Sequence, residues 1–117
     1  DACKHLGLNP NDLPVVYMLP EKDRKSIIAF YKLTIIIRAL NEGWEPDWSN
    51  WDEWKYYNRF YVEKGEDQRS SGFRYGTTDF ASTRMHTGSR LCFKNIELAK
   101  YATEQFKELY REYLLIL

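Results

Sequence analysis

The chain has 117 residues, of which 44% are apolar and 16% aromatic, and its 17 basic residues balance its 17 acidic ones. This length suits a single domain with its own core, and the aromatic content argues against a disordered chain. A general nucleic-acid-binding protein usually carries a basic excess, so the zero net charge argues against that class. No apolar run approaches the roughly 20 residues that span a bilayer, so no membrane segment is expected.

The N-terminal part, residues 1–43, is predicted to be helical. Pro20 suits the first position of a helix, because its missing N–H would have no partner there. From Ile27 to Leu40 the sequence is apolar almost all round, which predicts a buried central helix. We expect this helix to end near Asn41, since Gly43 suits its exit.

Residues 44–54 form a tryptophan-rich segment that holds all four tryptophans of the chain. Trp44, Trp48, Trp51 and Trp54 follow one another at the spacing of one helical face, so a helical turn is expected here. One interpretation is a structural lid, in which the four rings cover the core. The alternative is an exposed aromatic interaction surface, because Trp combines a large ring with a polar N–H.

The following residues, 55–94, are predicted to form a three-stranded antiparallel β-meander. The stretches Lys55–Glu63, Phe73–Ser82 and Arg90–Lys94 alternate or are rich in strand-forming residues, and the polar residues 64–72 would connect the first two. Gly76 marks a possible bulge in the second strand.

The last residues, 95–117, are predicted to form one long amphipathic helix with Asn95 as its cap. The sum is an α+β fold in one domain, with a central buried helix, the three-stranded meander and the long C-terminal amphipathic helix.

Charge is unevenly distributed along this neutral chain. Residues 42–53 contain five acidic residues and no basic one, whereas residues 69–94 contain five basic residues and a single acid, Asp79. Three interpretations are open. The two patches could face each other within the fold, or pair between subunits or with a partner. The basic region could instead cradle an anionic aromatic ligand such as a nucleotide.

The third interpretation defines a candidate ligand site. Arginine forks bind phosphate through two hydrogen bonds, and aromatic rings stack on a base. The site predicted for this ligand combines guanidinium groups, rings and a histidine: Arg74, Arg84, Arg90, Phe73, Tyr75 and His86.

The sequence lacks the common catalytic motifs. It has no phosphate-binding loop and no glycine-rich dinucleotide turn, and its two histidines, His5 and His86, belong to no metal-binding spacing. A nucleophile formed by Cys92 and His86 would lack an activating group. We therefore predict a non-enzymatic protein with neither cofactor nor metal. Two cysteines in a chain rich in Lys and Glu favour a reducing, cytoplasmic setting.

Two stretches carry a resemblance to a known group. "WEPDWSN" followed by "KYY" (Trp44–Asn50 and Lys55–Tyr57), and "GSRLCFKNIELAKYATEQF" (Gly88–Phe106), resemble small proteins of unknown function encoded by bacteriophages and prophages of gut Bacteroidetes. The likeness runs from the central helix to the last one. Related sequences often carry a Gly-Phe-Gly-Phe-like middle strand, whereas this chain has Ser71–Tyr75 there. The resemblance implies a phage origin and action inside the infected host cytoplasm or in the virion, and it implies no catalytic residue.

Two functions are expected from these observations. The first is a small phage-encoded binding protein that captures an anionic nucleotide-like ligand and so counteracts host defence. The alternative is a virion or assembly accessory protein that acts through protein–protein contacts, including a possible homo-oligomer. Its contact surfaces would be the tryptophan-rich segment and the apolar end, Tyr113–Leu117.

Overall fold

The computed structural model describes residues 1–64 and 72–117. In chain order the described elements are α1 (Ala2–His5), α2 (Glu21–Asn41), β1 (Lys55–Val62), β2 (Phe73–Ala81), a 3-10 turn (Ser89–Leu91), α3 (Ile96–Gln105) and α4 (Lys107–Leu114). The α+β class is confirmed. The connection predicted between the first two strands lies outside the described residues over 65–71. No helix in the described ranges is both long and apolar enough to cross a membrane.

Helix α2 supplies one side of the core. It begins after Pro20 and ends where Glu42 takes a left-handed conformation, with φ of 49°. Its residues Leu33 and Ile37 are fully buried and pack in one cluster with Phe93 of the segment that precedes α3. Burying large apolar side chains of this kind stabilises the fold by about 1.5–3 kcal/mol each.

The described sheet has two strands, so the predicted three-stranded meander is wrong. Strands β1 and β2 pair antiparallel, but the expected third strand, residues 90–94, is reduced to a single bridge between Tyr56 and Phe93. The neighbouring backbone groups are taken by a side chain instead. The buried Asn41 amide donates to the carbonyl of Cys92 at 2.9 Å and accepts from the N–H of Lys94 at 3.1 Å. An asparagine at the end of α2 thus replaces a strand neighbour.

A bulge interrupts the pairing of β1 with β2. Arg59 lies opposite Thr77 and Phe60 lies opposite Tyr75, which leaves Gly76 as the extra residue. A Cβ atom at this position would lie 3.0 Å from the carbonyl oxygen of Arg59, so the close approach of the two backbones favours glycine. The bulge expected at Gly76 is confirmed.

The C-terminal helix is broken, so the prediction of one long helix over residues 95–117 is wrong. Phe106 leaves the helical conformation, with φ of −127°, between α3 and α4. The break allows α3 to pack on the sheet, where its residue Ala99 accepts a hydrogen bond from Asn58 at 2.9 Å. It also directs α4 along α2, where Ser26 donates to the carbonyl of Tyr113 at 2.7 Å. Two packing partners in different directions explain the kink at a residue that is neither Gly nor Pro.

Candidate functional site

The tryptophan-rich segment forms two consecutive turns, and the expected helical turn is absent from it. The N–H of Asn50 donates to the carbonyl of Asp47 at 3.1 Å, and that of Glu53 donates to the carbonyl of Asn50 at 3.3 Å. The Asp47 carboxylate also accepts from the Ser49 hydroxyl and N–H, which lowers the pKa of Asp47. Asp and Asn favour such local hydrogen bonds over a helix, which explains the turns.

The four tryptophans of this segment have two different environments. The indole of Trp44 donates to the Glu53 carboxylate at 3.2 Å, and that of Trp48 donates to the Ser89 hydroxyl at 2.8 Å. These two rings are half-buried. Trp51 and Trp54, in contrast, are 72% and 51% exposed. The structural lid and the exposed aromatic surface therefore each describe one half of the segment.

The buried side chain of Lys55 holds the tryptophan-rich segment in place. Its side chain is 0% exposed, and its ammonium donates to the carbonyls of Asn50 at 2.9 Å and Ser82 at 3.0 Å. The Glu53 carboxylate lies 3.4 Å away, and the ammonium stands 5.1 Å from the ring centroid of Trp48. A buried charge needs partners of this kind, because desolvation without them is costly. Sequence reasoning missed this residue, since a lysine at the start of a strand normally points to water.

A polar concavity of about 570 Å³ lies beside the end of β2 and the loop that follows it. We call it the Arg84 concavity. Its lining combines hydroxyl, guanidinium, imidazole, carboxylate and aromatic groups: Tyr57, Arg59, Asp79, Phe80, Ala81, Ser82, Thr83, Arg84, His86 and Thr87. The imidazole of His86 stacks on the buried ring of Tyr57, with centroids 5.2 Å apart and planes 22° apart.

The charges of the Arg84 concavity are only partly neutralised. Arg59 pairs with the Asp79 carboxylate at 3.3 Å across the two strands. The N–H of Phe80 also donates to that carboxylate, and together these hydrogen bonds lower the pKa of Asp79. Arg84 is exposed and has no hydrogen bond or ion pair to any residue in the described ranges. The concavity therefore offers, beside a histidine, one guanidinium that no carboxylate of the described residues neutralises.

The other predicted ligand residues lie elsewhere. Arg90 lines a separate concavity of about 380 Å³, next to Glu45 of the tryptophan-rich segment. Arg74 pairs with Glu63 at 3.4 Å near the far end of β2. Of the six predicted ligand residues, the structure brings together Arg84 and His86 in one concavity. Arg69, which contributed to the basic count, lies outside the described residues.

The two predicted stacking rings face the core side of the sheet. Phe73 is buried and stacks on Phe60, with centroids 4.9 Å apart. The Tyr75 ring meets the same Phe60 edge-on, and its hydroxyl bonds to that of Thr78 at 2.7 Å. Neighbouring side chains of a strand point to opposite faces, so these rings cannot share a ligand with Arg74 on one face.

The two charged patches are not joined by ion pairs in the part of the chain that the structure describes. The ion pairs found there are Lys55–Glu53, Arg59–Asp79, Arg74–Glu63 and Arg111–Glu108. None of these ion pairs connects an acid of residues 42–53 with a base of residues 74–94. Within the described residues, the two patches therefore do not neutralise each other through ion pairs.

The thiol of Cys92 is poorly suited to nucleophilic chemistry. It is buried and lies 3.2 Å from the carbonyl of Gly88, and its burial raises the pKa of the thiol. The reactive thiolate is therefore disfavoured. Within the described ranges, no group of three or more His, Cys, Asp or Glu side chains could hold a metal ion.

A second concavity of about 570 Å³ has the opposite chemistry. It lies between the N-terminal residues, α2 and the α3–α4 pair, and most of its wall is aliphatic or aromatic, including Leu13, Ile35, Leu40, Phe106 and Leu109. Its few charged residues are of both signs. This concavity therefore suits an anion less well than the Arg84 concavity does.

Comparison of the chain with protein-family models, with curated proteins and with solved structures finds no match. The likeness to phage-encoded proteins stays a prediction from the sequence. The geometry and charge of the site are what can support a function.

Proposed function

We propose that this chain is a non-enzymatic binding protein that captures a small anionic, nucleotide-like ligand in the Arg84 concavity. The observation that carries the proposal is the exposed Arg84 guanidinium, which lies in a concavity and has no acidic partner within the described residues. A guanidinium in this setting binds phosphate through charge-assisted hydrogen bonds without first breaking an ion pair.

The groups around Arg84 suit the rest of a phosphate. The hydroxyls of Ser82, Thr83 and Thr87 line the same concavity and can donate to further phosphate oxygens. The Asp79 carboxylate can accept only, so it favours a ligand that also carries a donor, such as the exocyclic amine of a base. This combination of anion and amine distinguishes a nucleotide from inorganic phosphate.

The aromatic residues of the concavity suit a base. His86 is supported from behind by the Tyr57 ring, so its outer face can form a stacking platform. Phe80 also lines the concavity, but its ring packs against Trp54 and Tyr56, so His86 is the stacking group. Stacking on such rings is tolerant of the identity of the base, which fits capture of a class of nucleotides.

The resemblance to phage-encoded proteins supports a place of action in the cytoplasm of an infected bacterium. A host that signals infection through a soluble nucleotide would lose that signal to a protein that binds it. Capture requires no turnover, so binding groups alone suffice for it.

Calorimetric titration with mononucleotides, cyclic dinucleotides and inorganic phosphate tests the proposal. We expect saturable binding of one nucleotide class, weakened roughly tenfold to a hundredfold by Arg84→Ala through loss of a charge-assisted hydrogen bond. Arg38→Ala, on an exposed position of α2, is the matched control and should leave the affinity unchanged. Absence of binding across the panel, or an affinity that Arg84→Ala does not change, would refute ligand capture.

The exposed aromatic surface favours a second candidate, an assembly or virion accessory protein. Trp54 meets Phe80 edge-on at 4.8 Å, and Trp51 is 72% exposed on the same tryptophan-rich segment. Aromatic residues of this kind are enriched at protein interfaces. The double variant Trp51→Ser and Trp54→Ser should abolish association with a partner in light scattering. Full association of that variant would exclude this surface as the contact.

A further inference from the structure

Strand β2 has one unpaired edge. It pairs with β1 on one side, and within the described residues no other strand pairs with it. A nine-residue edge exposes a row of backbone N–H and C=O groups that can pair with another strand. The side chains along such an edge decide which strand fits.

The side chains of β2 complement themselves when the strand is reversed. The sequence from Phe73 to Phe80 is FRYGTTDF. Aligned antiparallel with a second copy of itself, this stretch places Phe73 opposite Phe80 and Arg74 opposite Asp79. Both pairs occur twice, because a two-fold axis between Gly76 and Thr77 repeats each contact.

The bulge makes this alignment geometrically consistent. Residues 74 and 79 are separated by an odd number of positions, so a regular strand would place them on opposite faces. Gly76 is the extra residue of the bulge and shifts the alternation by one. On the core side, the hydroxyl of Tyr75 therefore meets that of Thr78 at 2.7 Å. Arg74 and Asp79, which adjoin these two residues, share the opposite face.

We propose that β2 pairs with β2 of a second copy of this chain, antiparallel and centred between Gly76 and Thr77. The result is a continuous four-stranded sheet across an isologous dimer interface. Arg74 of each copy pairs with Asp79 of the other, because directly opposite residues of antiparallel strands bring their side chains into contact. We infer a second copy as the occupant of the edge because the strand's own reverse places Arg74 opposite Asp79 twice.

The existing ion pairs of these two residues do not oppose the pairing. Arg74 binds Glu63 at 3.4 Å and Asp79 binds Arg59 at 3.3 Å, and all four side chains are well exposed. Exposed pairs of this kind contribute little to stability and rearrange readily. The Asp79 carboxylate already accepts from the N–H of Phe80 on one oxygen and from Arg59 on the other, and the remaining lone pairs can accept from a second guanidinium.

The dimer adds a residue to the Arg84 concavity. Asp79 lines that concavity, so Arg74 of the second copy would stand at its margin and offset the one carboxylate there. This effect rests on the proposed ligand site, whereas the pairing of the strands does not. A chain that binds no nucleotide can still dimerise, and the two ideas can fail separately.

Sedimentation equilibrium at rising concentration, with charge-reversed variants, tests the pairing. We expect a reversible monomer–dimer equilibrium in the natural sequence. Arg74→Glu and Asp79→Arg should each weaken dimerisation roughly tenfold, because each puts like charges opposite one another twice. The combined variant restores opposite charges and should recover the dimer. Lys22→Glu, at an exposed position of α2, is the control and should not change the equilibrium.

Hydrogen exchange of the natural sequence gives a second test that needs no variant. The amides of residues 73–81 that do not face β1 should become protected as the concentration rises. A monomer at every concentration, or a dimer that neither reversal weakens, would overturn the proposal. Protection of this edge only after another protein is added would overturn it too, in favour of a different partner strand.

Discussion

Two sets of polar side chains flank the sheet, and they differ in how they are satisfied. The buried polar seam, formed by Lys55, Asn41 and Asn58, has hydrogen-bond partners within the chain for its amide and ammonium groups. The exposed rim, formed by Arg84 and His86, has no ion pair in the described ranges and borders a concavity. Buried polar groups must be partnered for the fold to be stable, whereas exposed ones contribute little to it. The seam therefore stabilises the fold, and the rim is available to a ligand.

Replacement of Lys55 should break the seam most severely. Lys55→Met removes the donor that serves two backbone carbonyls and leaves Glu53 without its ion-pair partner. We expect the free energy of unfolding to fall by about 3 kcal/mol, measured by urea denaturation. Lys100→Met, at an exposed position of α3, is the matched control and should change it by less than about 0.5 kcal/mol. A Lys55→Met variant as stable as the control would show that the seam is not needed.

Alkaline pH should weaken the seam through Tyr110. Burial raises the pKa of Tyr110 to about 12, and its hydroxyl accepts from the amide of Asn58 at 3.3 Å. In the unfolded chain the phenol ionises near pH 10, whereas in the folded chain it stays neutral until about pH 12. The contribution of neutral Tyr110 to the free energy of unfolding is therefore complete below pH 10. It is lost between about pH 10 and 12, and the loss amounts to roughly 2–3 kcal/mol.

Urea denaturation at stepped pH values measures this loss. Tyr110→Phe lacks the ionising group, so its stability should decline less steeply over the same interval. Equal slopes for the two proteins would mean that Tyr110 does not carry the effect.

Asn41→Ala should have a smaller effect that is more local. The variant loses the two hydrogen bonds that hold the backbone at Cys92 and Lys94. We expect a loss of about 2 kcal/mol, because two buried backbone groups become unsatisfied. In the variant, the amide hydrogen of Lys94 should exchange faster than in the natural protein, whereas the exchange of the β1 amides should change less. If the amide of Lys94 stays as protected as before, another group than Asn41 holds this segment.

Arg84→Ala should have the smallest effect on stability. Its guanidinium is exposed and has no partner within the described residues, so the free energy of unfolding should change by less than about 0.5 kcal/mol. Thermal denaturation of the variant beside the natural protein measures it. A loss close to that of Lys55→Met would place Arg84 in the fold and contradict the contrast between rim and seam.

The parts of the fold that depend on local pattern could be predicted from the sequence. The apolar run of α2, the alternation of the two strands and the bulge at Gly76 are all visible within a few residues. The prediction of a third strand failed because Asn41, 51 positions before Cys92, forms hydrogen bonds that a neighbouring strand would otherwise form. The break at Phe106 failed for a related reason, since packing on two different partners bends a sequence with no Gly or Pro there.

The residues of the candidate site could be predicted in part. The local basic excess indicated Arg84 and His86, which do line one concavity. It also suggested Phe73 as a stacking ring beside Arg74, although adjacent strand residues point to opposite faces. Arg59 and Asp79 were missed as site residues, because their meeting depends on the register of β1 against β2. Cross-strand register is not visible in the composition of one strand.

The most direct measurement is a titration of the protein with the nucleotide that binds in calorimetry. Backbone amide NMR shifts would follow it residue by residue. We predict that the largest shifts fall on residues 79–87, around Arg84 and His86, and that residues near Arg90 respond little. Largest shifts around Arg90 or Trp51, or no shift with any nucleotide, would contradict the assignment of the ligand site to the Arg84 concavity.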